Sequence, residues 1–161
     1  MAEIIKVGIA DIKIGKSPQL ITTLGLGSCV GVTIYDPVAK IGGMAHIMLP
    51  DSTAIKNNQN IAKFADTGVV HLLDLLLAQG CKKHNCIAKM AGGAQMFKFE
   101  TSNDTMRIGE KNILAVKKVL NQLDIPIKAS EVGETYGRTI ELRLTDGSLL
   151  VKTIGRGEKE I

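Results

Sequence analysis

Two short apolar runs flanking a turn constrain this chain more than any other feature. Val30, Val32 and Ile34 alternate with smaller or polar positions, and Ile41, Met44, Ile47 and Met48 follow after a break. Both runs read as strands. Between them, Asp36-Pro37-Val38-Ala39 suits a type I turn, since the Asp carboxylate can accept from backbone N–H groups ahead of it and Pro presets φ. A hairpin centred between Pro37 and Val38 sets Cys29 opposite His46, with Cβ atoms ~5 Å apart and both side chains on one face. A slip of a single residue would send them to opposite faces.

That juxtaposition is chemically suggestive. An unperturbed cysteine, with a pKa of ~8.5, is mostly thiol at neutral pH, and an adjacent imidazole can take its proton to make a nucleophile with its own acid. Gly25 and Gly27 precede the cysteine in Gly-Leu-Gly-Ser-Cys and mark a bend or a close backbone approach. Such a bend can aim the N–H groups of Ser28 and Cys29 at a developing oxyanion. A third polar group should orient the imidazole; Thr22, Thr23, Asp36 and Asp51 are all candidates by position. The competing reading is a buried Cys and an ordinary core His.

Residues 23–32, Thr-Leu-Gly-Leu-Gly-Ser-Cys-Val-Gly-Val, and 45–50, Ala-His-Ile-Met-Leu-Pro, resemble the active-site block of the CheD family, the chemoreceptor glutamine deamidases of bacterial chemotaxis. The likeness continues through Phe64-Ala-Asp-Thr67, Ala91-Gly-Gly-Ala-Gln-Met-Phe97, Ile108-Gly-Glu-Lys-Asn112 and Gly137-Arg138, and so covers most of the chain. Carried over by position, the resemblance implies Cys29 as nucleophile, His46 as general base and Thr23 as the third catalytic residue. It also implies that Gly92 and Gly93 line the substrate pocket with Gly27 and Ser28. Where the family tends to have paired glycines before its Gly-Arg, this chain departs with Gly133-Glu-Thr-Tyr-Gly-Arg138.

At 161 residues the chain reads as one domain spanning 1–161, long enough to bury about two thirds of its unfolded surface. Aromatic residues make up only 3%, so the core must be aliphatic. The net charge of +4 comes from scattered lysines and arginines that do not interleave with aromatics, which argues against nucleic acid as a ligand. No run approaches the ~20 apolar residues of a membrane span, and residues 1–20 lack a signal-peptide core. A cytoplasmic protein with three reduced thiols, and no membrane insertion, is expected.

Taken in order, Ile4–Ala10 and Leu20–Leu24 read as strands, and the polar residues 51–60 as a loop beside the site. Ile61 to Leu77 forms an amphipathic helix stopping at Gly80. Cys81, His84 and Cys86 could be three zinc ligands, but no fourth follows with suitable spacing, and a turn with two inward thiols is preferred. Ile87–Ala91 reads as a strand entering Gly92-Gly93, and Lys111–Leu123 as a second amphipathic helix. Strands follow at Ile125–Val132 and Arg138–Leu144. Thr145-Asp-Gly-Ser148 signals a two-residue hairpin into Leu149–Thr153, and the charged tail 155–161 is expected to be loose.

Clustered strands with two helices imply an α+β fold, a layered α/β/β sandwich with largely antiparallel pairing. The resemblance implies two sheets with helices on one outer side, similar to bacterial deamidating toxin catalytic domains. It further implies a cysteine-dependent protein-glutamine glutaminase that needs no cofactor and no metal. Its substrates would be glutamines on the cytoplasmic helices of methyl-accepting chemotaxis receptors, and a CheC-type phosphatase would be a partner. Two other classes compete: a non-enzymatic regulator binding phosphatase and receptor, and a redox sensor in which Cys81 or Cys86 resolves an oxidised Cys29.

Overall fold

The computed structural model describes residues 2–96 and 107–161. Phe97, the last residue of the Ala91–Phe97 motif, lies outside them. Among the described residues, ten strands and two α-helices follow in chain order: β1 (Ile4–Lys6), β2 (Ile12–Lys16), β3 (Leu20–Leu26), β4 (Val30–Asp36), β5 (Ile41–Ile47), α1 (Ala65–Ala78), β6 (Ile87–Gly92), α2 (Ile108–Gln122), β7 (Ile127–Val132), β8 (Arg138–Arg143), β9 (Leu149–Thr153) and β10 (Gly157–Glu160). They build two five-stranded sheets, one ordered β1-β3-β8-β9-β10 and the other β2-β5-β4-β6-β7. Pairing is antiparallel except for β1 with β3 and β6 with β7. No helix among the described residues is long and apolar enough to cross a membrane.

Three layers result, in the order helices, second sheet, first sheet, and the expected α/β/β sandwich is what forms. Every residue of β4 is buried, because its sheet is covered on both faces. Val30, Val32 and Ile34 join Ala45 and Ile47 of β5 beneath Leu72 and Leu76 of α1 and Val116 and Leu120 of α2. Tyr35 and Met44 point the other way and meet Ile21, Leu26, Ile140 and Val151 of the first sheet. The alternation of large apolar residues with Gly31 and Thr33 along β4 is therefore a division between two unlike neighbours. A Cβ on Gly31 would lie 2.5 Å from Cδ1 of Ile140 and 3.0 Å from Cδ1 of Leu26, so the glycine makes room for side chains of the first sheet that would otherwise have to shift.

Several local expectations are corrected. Asp36 does cap the hairpin turn, accepting from the N–H groups of Val38 (2.9 Å) and Ala39 (3.0 Å). The turn is wider than two residues, however. Lys40 takes a positive φ of 56° and donates its N–H to Asp36 O, so Asp36 pairs with Ile41. His46 consequently pairs with Gly31 and not with Cys29. A shift of two positions preserves the face, so His46 still points between the sheets.

The first strand is shorter than Ile4–Ala10, ending at Lys6; the chain turns at Ile9 and Ala10, where Ala10 takes a positive φ, and β2 follows on the edge of the other sheet. Ile61–Lys63 forms a single 3₁₀ turn and Phe64 is extended, so α1 begins only at Ala65. Gly80, with φ of 101°, follows α1 as expected of a C-terminal cap. The Asp146-Gly147 hairpin spans four residues, 144–147, closed by Arg143 N–H on Ser148 O. The tail is not loose. Gly157–Glu160 pairs antiparallel with β9, Ile161 exchanges both backbone bonds with Leu149, and Lys89 Nζ donates to Ile161 O at 2.8 Å.

Candidate active site

β3 approaches the site through a bulge. Thr23 pairs with Ile140 and Leu26 with Arg138, so two residues, Leu24 and Gly25, are accommodated without partners in the ladder. Gly25 takes φ of 67°, the conformation such a bulge asks of glycine. The chain then leaves the first sheet, turns through Gly27-Ser28-Cys29 and enters β4 in the second sheet. Cys29 thus stands at the crossing between the sheets, half-buried, with its side chain against the inter-sheet cluster.

The three carbonyls of this turn are all held. Gly27 O accepts from Ala94 N–H (2.8 Å), Ser28 O from Asn112 Nδ2 (3.0 Å) and Cys29 O from Gly93 N–H (2.8 Å). Gly92 and Gly93 therefore do lie against the cysteine turn. Gly92 has φ of 105°, and a Cβ there would stand 2.4 Å from Cys29 O, so both conformation and space demand glycine. Arg138, buried in the ladder beside Leu26, pairs with Glu131 and donates to Gly133 O (2.7 Å) and Gly92 O (3.4 Å). The divergent loop 133–138 is thereby tied to the same bend.

His46 is fully buried and fixed on both sides, by β4 and by Ala10 and Asp11, which exchange backbone bonds with it. Its Nδ1 lies 2.7 Å from Thr23 Oγ1, and the same hydroxyl donates to Val7 O at 2.8 Å. A hydroxyl has one proton. With that proton on the Val7 carbonyl, which can only accept, Thr23 must accept from Nδ1–H. The imidazole is thus held in the tautomer whose Nε2 carries a lone pair, and Nε2 is buried without a partner among the described residues. Burial also holds His46 below its ordinary pKa and pushes the Cys29 thiol up. Both shifts favour the uncharged forms, imidazole and thiol, over the ion pair.

Of the four polar groups that spacing left open, Thr23 alone bonds His46. Thr22 donates to Ile140 O, Asp36 caps the far end of the hairpin, and Asp51 caps a 3₁₀ turn at Ser52–Ala54. Cys81 and Cys86 face the helix-side core, where burial first, and nearby negative charge second, pushes both thiols up to about 11. Their layer lies across β4 from the one that receives Cys29, which removes them as resolving partners. The polar side chain at the cysteine turn that spacing missed is Asn112. It is fully buried, and its Nδ2 also reaches Met48 O at 2.9 Å. Its signal was a polar residue inside the buried stripe of α2, three positions from Gly109, four from Val116 and next to Ile113.

Residues 48–153 match the family model described as CheD chemotactic sensory transduction. Over 161 residues, and all of both chains, this sequence is 55% identical to a protein of Lachnoclostridium phytofermentans named probable chemoreceptor glutamine deamidase CheD. It is 53% identical to the chemoreceptor glutamine deamidase CheD of Halalkalibacterium halodurans, again over the whole of both chains. With the protein of that name from Bacillus subtilis it shares 48% identity, covering 99% of this chain and 97% of that one. With identity at this level from end to end, and the family model matching most of the chain, the protein belongs to the CheD family.

Proposed function

We propose that residues 1–161 act as one domain that deamidates glutamine side chains of chemotaxis receptors, with Cys29 as nucleophile, His46 as base and acid, and Thr23 as the group that sets the imidazole. The observation that carries this reading is the bond from His46 Nδ1 to Thr23, which leaves Nε2 unprotonated, buried and without a partner among the described residues, in the layer that receives Cys29. The names of the full-length relatives supply the substrate class.

In the reaction, His46 Nε2 takes the Cys29 proton as sulfur attacks the carboxamide carbon, and the carbonyl electron pair moves to oxygen. Collapse of that adduct expels ammonia, protonated by His46, and leaves a thioester. Water, giving its proton to His46, then releases glutamate and restores the thiol. The chemistry closes with amide and water alone, so no cofactor is called on. Charge develops on the substrate oxygen, where the N–H groups of Ser28 and Cys29 would receive it. A groove of about 360 Å³ bordered by Gly25, Met96 and Tyr136 gives a polypeptide access beside the turn. The protein would work in the cytoplasm, and a CheC-type phosphatase would compete with receptors for this mouth.

Intact mass of receptor cytoplasmic fragments tests the reading. The wild type should add about one dalton per modified glutamine, and Cys29→Ala none. Unchanged receptor mass with the wild type, together with tight binding of receptor or phosphatase by both proteins, would replace the enzyme with a binding regulator.

A further inference from the structure

Asn112 spends both amide protons on main-chain carbonyls, Ser28 O at 3.0 Å and Met48 O at 2.9 Å, and its Oδ1 has no partner among the described residues. Both contacts are acceptors, so the amide orientation follows from chemistry. What this side chain contributes is donation alone.

In a trans peptide the C=O and the following N–H point in opposite directions. Holding Ser28 O therefore directs Cys29 N–H away from Asn112. The bond from Ala94 N–H to Gly27 O does the same for Ser28 N–H. The two anchors belong to one wall: a Cβ on Gly109, in the first turn of α2, would lie 2.5 Å from Ala94 O. Two successive carbonyls thus face the wall, and two successive N–H groups face away from it, as donors to a developing negative charge would have to. Neither N–H has a partner among the described residues, and the turn that carries them is half-exposed.

We infer that Asn112 is a positioning residue for the oxyanion site, acting through the Ser28–Cys29 peptide and not on the nucleophile. This rests on the deamidase reading above. By tethering Ser28 O and Met48 O together, Asn112 also locks the cysteine turn to the end of the strand that carries His46. The donors are in place before substrate arrives, and no reorganisation is needed as charge develops.

The test separates an oxyanion role from general disorder of the turn. Alkylation by iodoacetamide displaces iodide from carbon and generates no oxyanion, whereas acylation by p-nitrophenyl acetate and deamidation both do. Asn112→Ala should lower kcat for deamidation and the rate of acylation by ~10²-fold, the scale of one oxyanion donor, with KM little changed. Alkylation of Cys29 should keep its rate and pH profile. An equal loss in all three reactions, or no loss in acylation, overturns the inference. A wild type that is acylated by the ester but leaves receptor glutamines intact sinks the deamidase reading alone, and the ester still reports on Asn112. Should the alanine variant not fold, NMR of the unaltered protein decides. A small aldehyde adding to Cys29 as a hemithioacetal should move the Ser28 and Cys29 amide protons downfield, and the Asn112 side-chain amide should stay bonded. Unmoved amide protons overturn the assignment.

Discussion

Thr23→Val replaces a hydroxyl with a methyl of similar shape and removes two bonds at once, the 2.8 Å donation to Val7 O and the 2.7 Å acceptance from His46 Nδ1. Each buried polar group left without a partner costs ~1–3 kcal/mol, so with two such groups the folded state should lose about 2–6 kcal/mol. Against a typical stability of ~5–15 kcal/mol a loss in the lower part of the range of about 2–6 kcal/mol leaves the variant folded, with a melting temperature lower by roughly 2–4 °C for each kcal/mol lost. The effect on chemistry is separate. Without an acceptor at Nδ1, the imidazole loses ~1.5–3 kcal/mol of preference for the tautomer with a free Nε2, which converts to about 10–100-fold in kcat. Thr23→Ser keeps the hydroxyl and should stay within about threefold of wild type. The assay pairs kcat on receptor fragments with long-range ¹H–¹⁵N correlation of the His46 ring, which reads the tautomer directly. Full activity in Thr23→Val would refute the reasoning. So would a loss of activity with His46 still protonated on Nδ1, because the rate would then have fallen for a reason other than the tautomer.

Other consequences can be checked independently. Gly92→Ala forces a side chain into φ of 105° with Cβ 2.4 Å from Cys29 O, and should cost more than ~3 kcal/mol in urea unfolding and most activity. Gly133→Ala, with positive φ but open space, should cost only ~1–2 kcal/mol; equal costs at the two sites would remove the steric argument. His46 is held below its ordinary pKa, so between its folded value and ~6.5 the unfolded chain binds the extra proton, and stability should fall as pH drops below ~6.5. The buried thiols are shifted upward, so the unfolded chain ionises first and stability should fall again above ~8.5; a flat profile from pH 7 to 10 in urea titrations would contradict this. Iodoacetamide at neutral pH should label Cys29 alone, since Cys81 and Cys86 are buried with thiols at about 11 and become reactive only on unfolding; peptide mapping reads the site.

How much of this was legible in the chain differs from residue to residue, and the differences have physical causes. The strands of the hairpin were readable because β4 is covered on both faces and shows its layers as alternation. Its register was not, since that depends on one residue, Lys40, taking a left-handed conformation for which its side chain carries no signal. The error was harmless to the site only because two positions preserve the face. β10 was invisible for the opposite reason: all four residues are exposed, so its pairing is a matter of backbone bonds and leaves no apolar trace. The choice among four candidates for the group behind His46 lay beyond local pattern, because Thr23 belongs to one sheet and His46 to the other. Nothing in the spacing of 23 and 46 encodes how two sheets stack; the family resemblance picked Thr23, and the packing of the sandwich supplies the contact. Asn112 shows the limit from the other side. A polar residue in the buried stripe of α2 marks a bond to be made, but its partners, at residues 28 and 48, become neighbours only when the helix packs over the ends of β4 and β5. The sequence names the donor, and the fold alone names the peptide it holds.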